Sequence, residues 1–292
     1  MYKKLILIVL IQISVFMQYS CQREDILTEQ VVVEGWIESG YGPIVILTKS
    51  IVVAEEQYAN GDSDDLSVVL PWGKITVSDG LDTVVLTGRI DRNYYPPYVY
   101  SSDYLIGKPG RTYKLQIEYG NRFLTAETTI PNIDTLETVR VERCEDNDTL
   151  YQINAYFNDD LYQKDYYLFL TKLYSKEKRF YPAFLGLFND DVLVSQNCCQ
   201  VHPGIHTLTD TLYHYSSYYE KNDSVLFKFA KIDKTTYEIH ESYNELVSLS
   251  SNPIFVSNLK FKSNINGGEG FWCGYATTNY RVVIADSIVN IK

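Results

Sequence analysis

Tyr113-Lys114-Leu115-Gln116-Ile117-Glu118-Tyr119 alternates apolar and polar residues without a break, the mark of a strand with one face in a core and one in water. Gly120-Asn121 turns the chain, and a second strand runs back over residues 122–130. Shorter runs of the same kind begin at Glu29. Val31-Val32-Val33-Glu34-Gly35-Trp36-Ile37 and Pro43-Ile44-Val45-Ile46-Leu47-Thr48 lie on either side of a Gly/Pro turn. Residues 74–78 and 83–87 flank Asp79-Gly80, a pair that accepts positive φ and signals a hairpin. Gly107-Lys108-Pro109-Gly110 is the turn into the last hairpin. Strand after strand with no helix between predicts an Ig-like or transthyretin-like β-sandwich over residues 29–131, closed by Pro131-Asn132. Two segments break the rhythm. Residues 54–71, with Asn60-Gly61-Asp62-Ser63-Asp64-Asp65, read as an exposed loop, and Tyr94-Tyr95-Pro96-Pro97-Tyr98-Val99-Tyr100 is too proline-rich for a central strand.

The second half opens with strand-like residues 136–142 and 150–157. Tyr166-Tyr167-Leu168-Phe169-Leu170 and Ser224-Val225-Leu226-Phe227-Lys228-Phe229 read as buried strands. Over 233–247 the period changes: Ile239, Tyr243, Leu246 and Val247 recur at helical spacing, with Asp233 placed as N-cap. Residues 132–292 are therefore expected to form a second β-rich domain carrying one amphipathic helix on its sheet. Asn252-Pro253, residues 254–261, a Gly-rich turn and a last strand over 280–285 complete it.

The N-terminus follows a different logic. Lys3 and Lys4 precede an uncharged run from Leu5 to Met17, shorter than the roughly 20 apolar residues a spanning helix needs. This is the form of a signal peptide, residues 1–20. Ser20 stands directly before Cys21, as lipoprotein signal peptidase requires, so Cys21 is expected to become an acylated first residue. Gln18 stands where such signals usually carry an aliphatic residue, which leaves an ordinary secretory signal as the alternative. Residues 21–28 then form a tether, and Arg23, Glu24 and Asp25 resemble an export signal to the outer face of an outer membrane.

A formal charge of −11, more negative once Lys3 and Lys4 depart, repels nucleic acid and argues against a phosphate-binding role. Hydrophobic residues make up 45% of the chain, enough for a real core. The chain carries 26 tyrosines, which suit pleated, half-buried surfaces and ligand-facing ones alike. Cys144, Cys198, Cys199 and Cys273 remain after Cys21. An even count in an exported chain points to disulfides, with Cys198 and Cys199 each joined to Cys144 or Cys273.

Val32-Val33-Glu34-Gly35-Trp36-Ile37, Thr76-Val77-Ser78-Asp79-Gly80, Gly110-Arg111-Thr112-Tyr113-Lys114-Leu115 and Thr129-Ile130-Pro131 together resemble a Bacteroidota lipoprotein family, domain of unknown function 4249. Asn252-Pro253, Ser263-Asn264-Ile265 and Gly267-Gly268-Glu269-Gly270-Phe271-Trp272 are similar to that family's closing pattern. The resemblance implies an accessory role beside a TonB-dependent outer-membrane receptor, and brings no catalytic residues with it.

Candidate chemistry is sparse. Cys199-x-x-His202-x-x-x-His206 has zinc-type ligands, but oxidised cysteines beside surface histidines are the favoured reading, so no metal is expected. Asn60-x-Asp62-x-Asp64 starts like a calcium loop, then has Asp65 where glycine belongs and Pro71 where a carboxylate belongs. Adventitious calcium is all it suggests. Asp159-Asp160 and Asp190-Asp191 are adjacent pairs, whose members point to opposite faces of a strand. Gly267-Gly268-Glu269-Gly270 lacks a basic residue and reads as a turn. Tyr94, Tyr95 and Tyr98, with Tyr215, Tyr218 and Tyr219, are candidate ligand contacts. Their alternative is to line a strand's buried face. The expectation is a non-catalytic, surface-exposed lipoprotein with no cofactor beyond the lipid, partnering a TonB-dependent receptor. A glycan- or peptide-cleaving hydrolase and an adhesin-like spacer are the alternatives.

Overall fold

The computed structural model describes residues 30–50, 66, 68–145, 147–157, 164–174, 176–192, 198–204, 216–249 and 261–285. Cys21, Arg23, Glu24, Asp25, His206, Tyr215, the calcium-like loop, Asp159-Asp160 and Asn252-Pro253 lie outside them.

The alternating runs form strands. The first half holds β1 (Val31–Glu38), β2 (Ile44–Lys49), β3 (Lys74–Ser78), β4 (Thr83–Val85), β5 (Thr87–Ile90), β6 (Tyr98–Ser101), β7 (Thr112–Tyr119) and β8 (Arg122–Thr129). The second holds β9 (Thr138–Cys144), β10 (Asn147–Tyr156), β11 (Tyr166–Leu173), β12 (Tyr181–Asn189), β13 (Cys198–Val201), β14 (Tyr219–Glu220), β15 (Ser224–Ile232), helix α1 (Lys234–Leu249) and β16 (Glu269–Val283). The protein is mainly β, in packed sheets.

One sheet organises the rest. Its eight strands run β12-β11-β15-β16-β1-β2-β6-β5, so both halves contribute. The join is β16, whose first half runs parallel to β1, with Gly35 opposite Trp272, and whose second half pairs antiparallel with β15. Trp272 and Ala276 pack in the first half's core, Tyr280 and Val282 in the second's. These even-numbered positions share one face of the strand. The sheets β4-β3-β7-β8 and β13-β10-β14, the latter with β9 on the far side of β10, therefore cover one face of the large sheet side by side. Phe271, Cys273 and Tyr275 point to the opposite face, where α1 packs.

The division expected at residue 131 does not separate the cores, because Ile265, Trp272 and Ala276 complete the first one. The last strand was expected only over 280–285 and in fact starts at Glu269. Of the Gly-rich turn, Gly267 and Gly270 both have positive φ, and Glu269 and Gly270 already belong to the strand. Gly274 allows a close crossing: a Cβ there would lie 2.7 Å from the Thr129 carbonyl oxygen, where the chain leaves the first half. The linker beyond is fastened across the sheet. Lys231 Nζ bridges Asp134 at 2.9 Å and Asp165 at 2.5 Å, Thr278 donates to the Asp134 carbonyl, and the Leu136 amide donates to the Tyr280 hydroxyl at 2.7 Å.

Two more expectations change. The run 83–87 breaks at Leu86, whose buried side chain marks a switch from the small sheet (β4) to the edge of the large one (β5). Tyr98–Ser101 is an interior strand between β2 and β5. Pro96 and Pro97 precede its ladder and cost it no donor. Helix α1 starts where its cap requires, with the Thr236 amide donating to Asp233 Oδ1 at 2.7 Å. Thr236 and Ile239 bury its inner face, but Tyr243 is exposed, and from Glu241 to Ser248 every residue is exposed or half-buried. Only the helix's first half is clamped to the sheet. Among the described residues no helix is long and apolar enough to cross a membrane.

Candidate functional site

Strand β1 splits its residues between two environments. Val31, Val33 and Ile37 enter the core, and Gly35 shares their face because a Cβ there would meet Trp272 at 2.9 Å. Trp272 fills that space, and its indole N–H donates to the Tyr113 carbonyl at 3.0 Å. Asn264 pairs with Trp272's backbone through both ends of its amide, at 2.8 and 2.9 Å. Val32, Glu34, Trp36 and Glu38 face the other way, beside α1.

Glu38 is fully engaged. Both its oxygens accept from Lys228 Nζ at 2.7 Å, and one also accepts from Thr277 Oγ1. The Lys228 ammonium in turn lies 5.3 Å from the Tyr41 ring and 4.8 Å from that of Phe180. Glu34 is different. It is exposed to solvent, yet protein crowds its carboxyl enough for desolvation to raise its pKa from 4.5 to about 7, against the opposing pull of Arg179. Solvent reaches the residue while protein crowds its carboxyl, and we refer to this spot on the outer face of β1 as the recess. Beside Glu34, Ile46 is almost fully buried on the same face, which makes one wall. Trp36 stacks at a tilt on Tyr94, ring centres 5.8 Å apart, and makes another. Tyr275 closes the helix side: its hydroxyl is 2.8 Å from His240 Nε2, and burial raises it far above the ordinary phenol range, Glu34 and Glu38 adding to the effect. Packing also lowers His240 to about 4, so its ring is neutral at physiological pH. The arrangement offers one titratable carboxyl under the influence of Arg179, with aromatic neighbours on either side: groups suited to binding a ligand.

The other candidates disperse. Tyr94 joins the recess, Tyr98 turns into the first core beside Tyr100 at 5.4 Å, and Tyr95 stays half exposed. Tyr219 is buried in the second core while Tyr218 is exposed, so the two readings of the tyrosine clusters divide by residue. His202 Nδ1 lies 2.9 Å from the Ser217 carbonyl, and its ring meets Phe184 edge-on. Cys199 packs on the second core, and burial pushes its thiol to about 12. Among the described residues no three metal-ligating side chains converge. Asp190 accepts from the Asp165 amide and Asp191 pairs with Lys164, two separate fastenings of one short 3-10 turn.

The expected disulfides are not formed: no two of Cys144, Cys198, Cys199 and Cys273 are joined. Register explains it. Cys198 and Cys199 lie opposite Tyr156 and Ala155, at one end of β10, and Cys144 lies opposite Asn147 at the other. At ~3.3 Å per residue that is more than ~20 Å, where a bridge tolerates Cα separations of at most ~7 Å. Cys273 faces α1, on the side of the large sheet away from Cys199.

The recess lies within a stretch of the chain that a family model matches. The family model for a domain of unknown function, DUF4249, matches residues 19–281. The chain belongs to that family. No curated protein matches its sequence. Two of the runs that resemble the family, Val32 to Ile37 and Gly267 to Trp272, are brought together by the structure: Glu34 and Gly35 lie parallel and opposite Phe271 and Trp272. Sequence reasoning missed Glu34, Glu38, Lys228, His240 and Tyr275 as a group. The one available signal was Glu34 itself, a charge inside the apolar run from Val31 to Ile37.

Proposed function

We propose that this DUF4249 protein is a lipid-anchored, outward-facing outer-membrane protein, acting as a non-catalytic binding subunit of a TonB-dependent uptake system, with the recess at Glu34 as its contact for the ligand. The observation that carries the binding role is Glu34. Its carboxyl is reachable from solvent and partly desolvated, and among the described residues it has no hydrogen-bond partner. A crowded carboxylate without a donor is costly, and an incoming donor flanked by Trp36 and Tyr94 relieves that cost. The anchor and partner rest on the leader ending at Ser20-Cys21 and on the family's association with such receptors. The test is purification of the native protein in mild detergent. A TonB-dependent receptor should co-purify, and Glu34→Gln with Trp36→Ala should leave that complex intact while reducing nutrient-limited growth. Recovery of the protein alone counts against the receptor; unchanged growth of the variant counts against the recess.

A further inference from the structure

Trp72 contradicts ordinary surface design. It is 91% exposed and sits at φ +72°, a left-handed conformation that costs a bulky residue energy. The turn holding it is pinned on both sides by one tyrosine. The Tyr100 hydroxyl donates to the Leu70 carbonyl at 2.7 Å and accepts from the Gly73 amide at 3.0 Å. Leu70 and Tyr100 both belong to the first core, so the indole is held outward by a fixed mount. No aromatic or cationic partner meets it among the described residues.

Trp72 has company at its end of the sandwich. Two residues later, Lys74 lies opposite Glu118, which lies opposite Phe123 on the next strand. Phe123 is 58% exposed, on the solvent side of that sheet. Lys74 and Glu118 neutralise each other at 2.7 Å, so the row between the two rings carries no net charge. The same end receives the incoming chain. A Cβ on Gly267 would touch the Phe123 carbonyl and one on Gly268 the Val31 carbonyl, which sets the start of β1 beside the start of β8. Gln30 is fixed there by hydrogen bonds with Ser50 at 2.9 and 2.8 Å. Cys21 precedes Gln30 by nine positions, and nine residues span roughly 30 Å at full extension. Another strongly exposed ring, Tyr104 at 94%, is near the far end of β1, where Gly42 packs against Ser102.

We propose that Trp72 and Phe123 form a membrane-facing tip, seating the indole in the headgroup layer of the leaflet that holds the Cys21 acyl chains. The inference rests on lipidation at Cys21. Tryptophan's amphipathic ring favours that layer, and two exposed rings need the covalent anchor to keep them there. The short tether, a neutral ring-bearing end and its side of the sandwich all select lipid as the occupant. The Tyr104 end then points away from the bilayer, toward partners.

The experiment uses the acylated full-length protein in phosphatidylethanolamine–phosphatidylglycerol vesicles, with plain or brominated acyl chains. The chain has three tryptophans, with Trp272 buried and Trp36 half-buried. Brominated lipid should quench roughly a third of the emission, one indole's share, and Trp72→Phe should abolish the quenching. In that background Phe123→Trp should restore it and Tyr104→Trp should not. Flotation with the vesicles but equal emission in both lipids overturns the tip and leaves the anchor standing. Failure to float, with an unmodified Cys21 by mass spectrometry, overturns both. Protection of Trp72 only on adding the receptor assigns the tip to a protein surface and overturns the lipid assignment.

Discussion

The two four-stranded sheets rest on the same face of the same large sheet, yet the space beneath them is filled differently. Under β3, β7 and β8 the core is aliphatic, built from Val33, Val45, Leu47, Ile75, Leu115, Ile117 and Leu124 around Trp272 and Tyr113. Under β9, β10 and β13 it is a cluster of rings. Phe229 lies 5.0 Å from Phe157, 5.2 Å from Tyr167 and 5.2 Å from Phe169, and Phe188 packs against Phe157, Tyr167 and Phe169 as well. The difference follows strand regularity. The β7–β8 ladder is unbroken from Thr112 to Tyr119, and small branched residues interdigitate on its even surface. The second half has register shifts at Asn147/Tyr151 and Leu168/Leu170 and a two-residue strand, β14. Large rings fill such uneven spaces with few rotatable bonds. Regular ladders tolerate aliphatic filling; irregular ones draw on aromatic volume.

The largest expected effect tests this directly. Phe229→Ala should cost about 3–5 kcal/mol, read from urea unfolding of the mature domain. Because β15, β16 and β1 are consecutive in one sheet, the loss should lower a single transition, with Trp272 in the first core following it. Two separate transitions would show that the cores are independent. Next, Lys231→Met leaves Asp134 and Asp165 beside each other without their cation. Partial exposure of Asp134 moderates the penalty of a broken buried pair, leaving about 2–4 kcal/mol. A cost under about 0.5 kcal/mol would mean that the linker staple adds nothing beyond a surface pair. In the aliphatic core, Ile117→Val should cost only about 0.5–1.5 kcal/mol; a cost matching Phe229→Ala would erase the contrast between the cores.

The smallest effect concerns two titrating groups on the opposite face. The folded state raises Glu34 from 4.5 to about 7. Its stabilising contribution is therefore fully present below about 4.5 and lost as pH rises through about 7. His240 has the reverse sign: lowered from 6.5 to about 4, it contributes fully above about 6.5 and loses its contribution as pH falls through about 4. The windows overlap, so their slopes oppose each other between about 4.5 and 6.5. Glu34→Gln should leave the His240 slope uncovered, with unfolding midpoints that climb more steeply with pH across that window. A profile parallel to that of the parent protein would remove Glu34 from the set of perturbed groups.

Much of the first half was legible because its strands keep period two and its turns carry Asp79-Gly80 and Gly120-Asn121. The Asp233 cap located the helix equally well. What alternation could not reveal was partnership. Nothing in residues 269–275 says that they lie parallel to β1, since a parallel pair across most of the chain leaves no turn to read. The recess inherits that blindness: Glu34, Tyr275 and Lys228 come from three strands that only this pairing brings together. Cysteine counting failed for the same reason, as parity says nothing about which face or which end of a strand each thiol occupies. Tyrosine enrichment overstated the surface, because Tyr113, Tyr167 and Tyr219 are interior residues.

The sharing of β16 also fixes an order of events. Val33 and Gly35 leave the ribosome well before their partners Gly270 and Trp272, which follow more than 200 residues later. Until then the first sandwich lacks the indole at its centre and presents β1 as an unpaired edge. Such a non-local closure delays productive folding. A chain built this way stays pliable through most of its synthesis and closes only once β16 is available. The final strand acts as a clasp, and removing it should leave the N-terminal half open to proteases long after synthesis has ended.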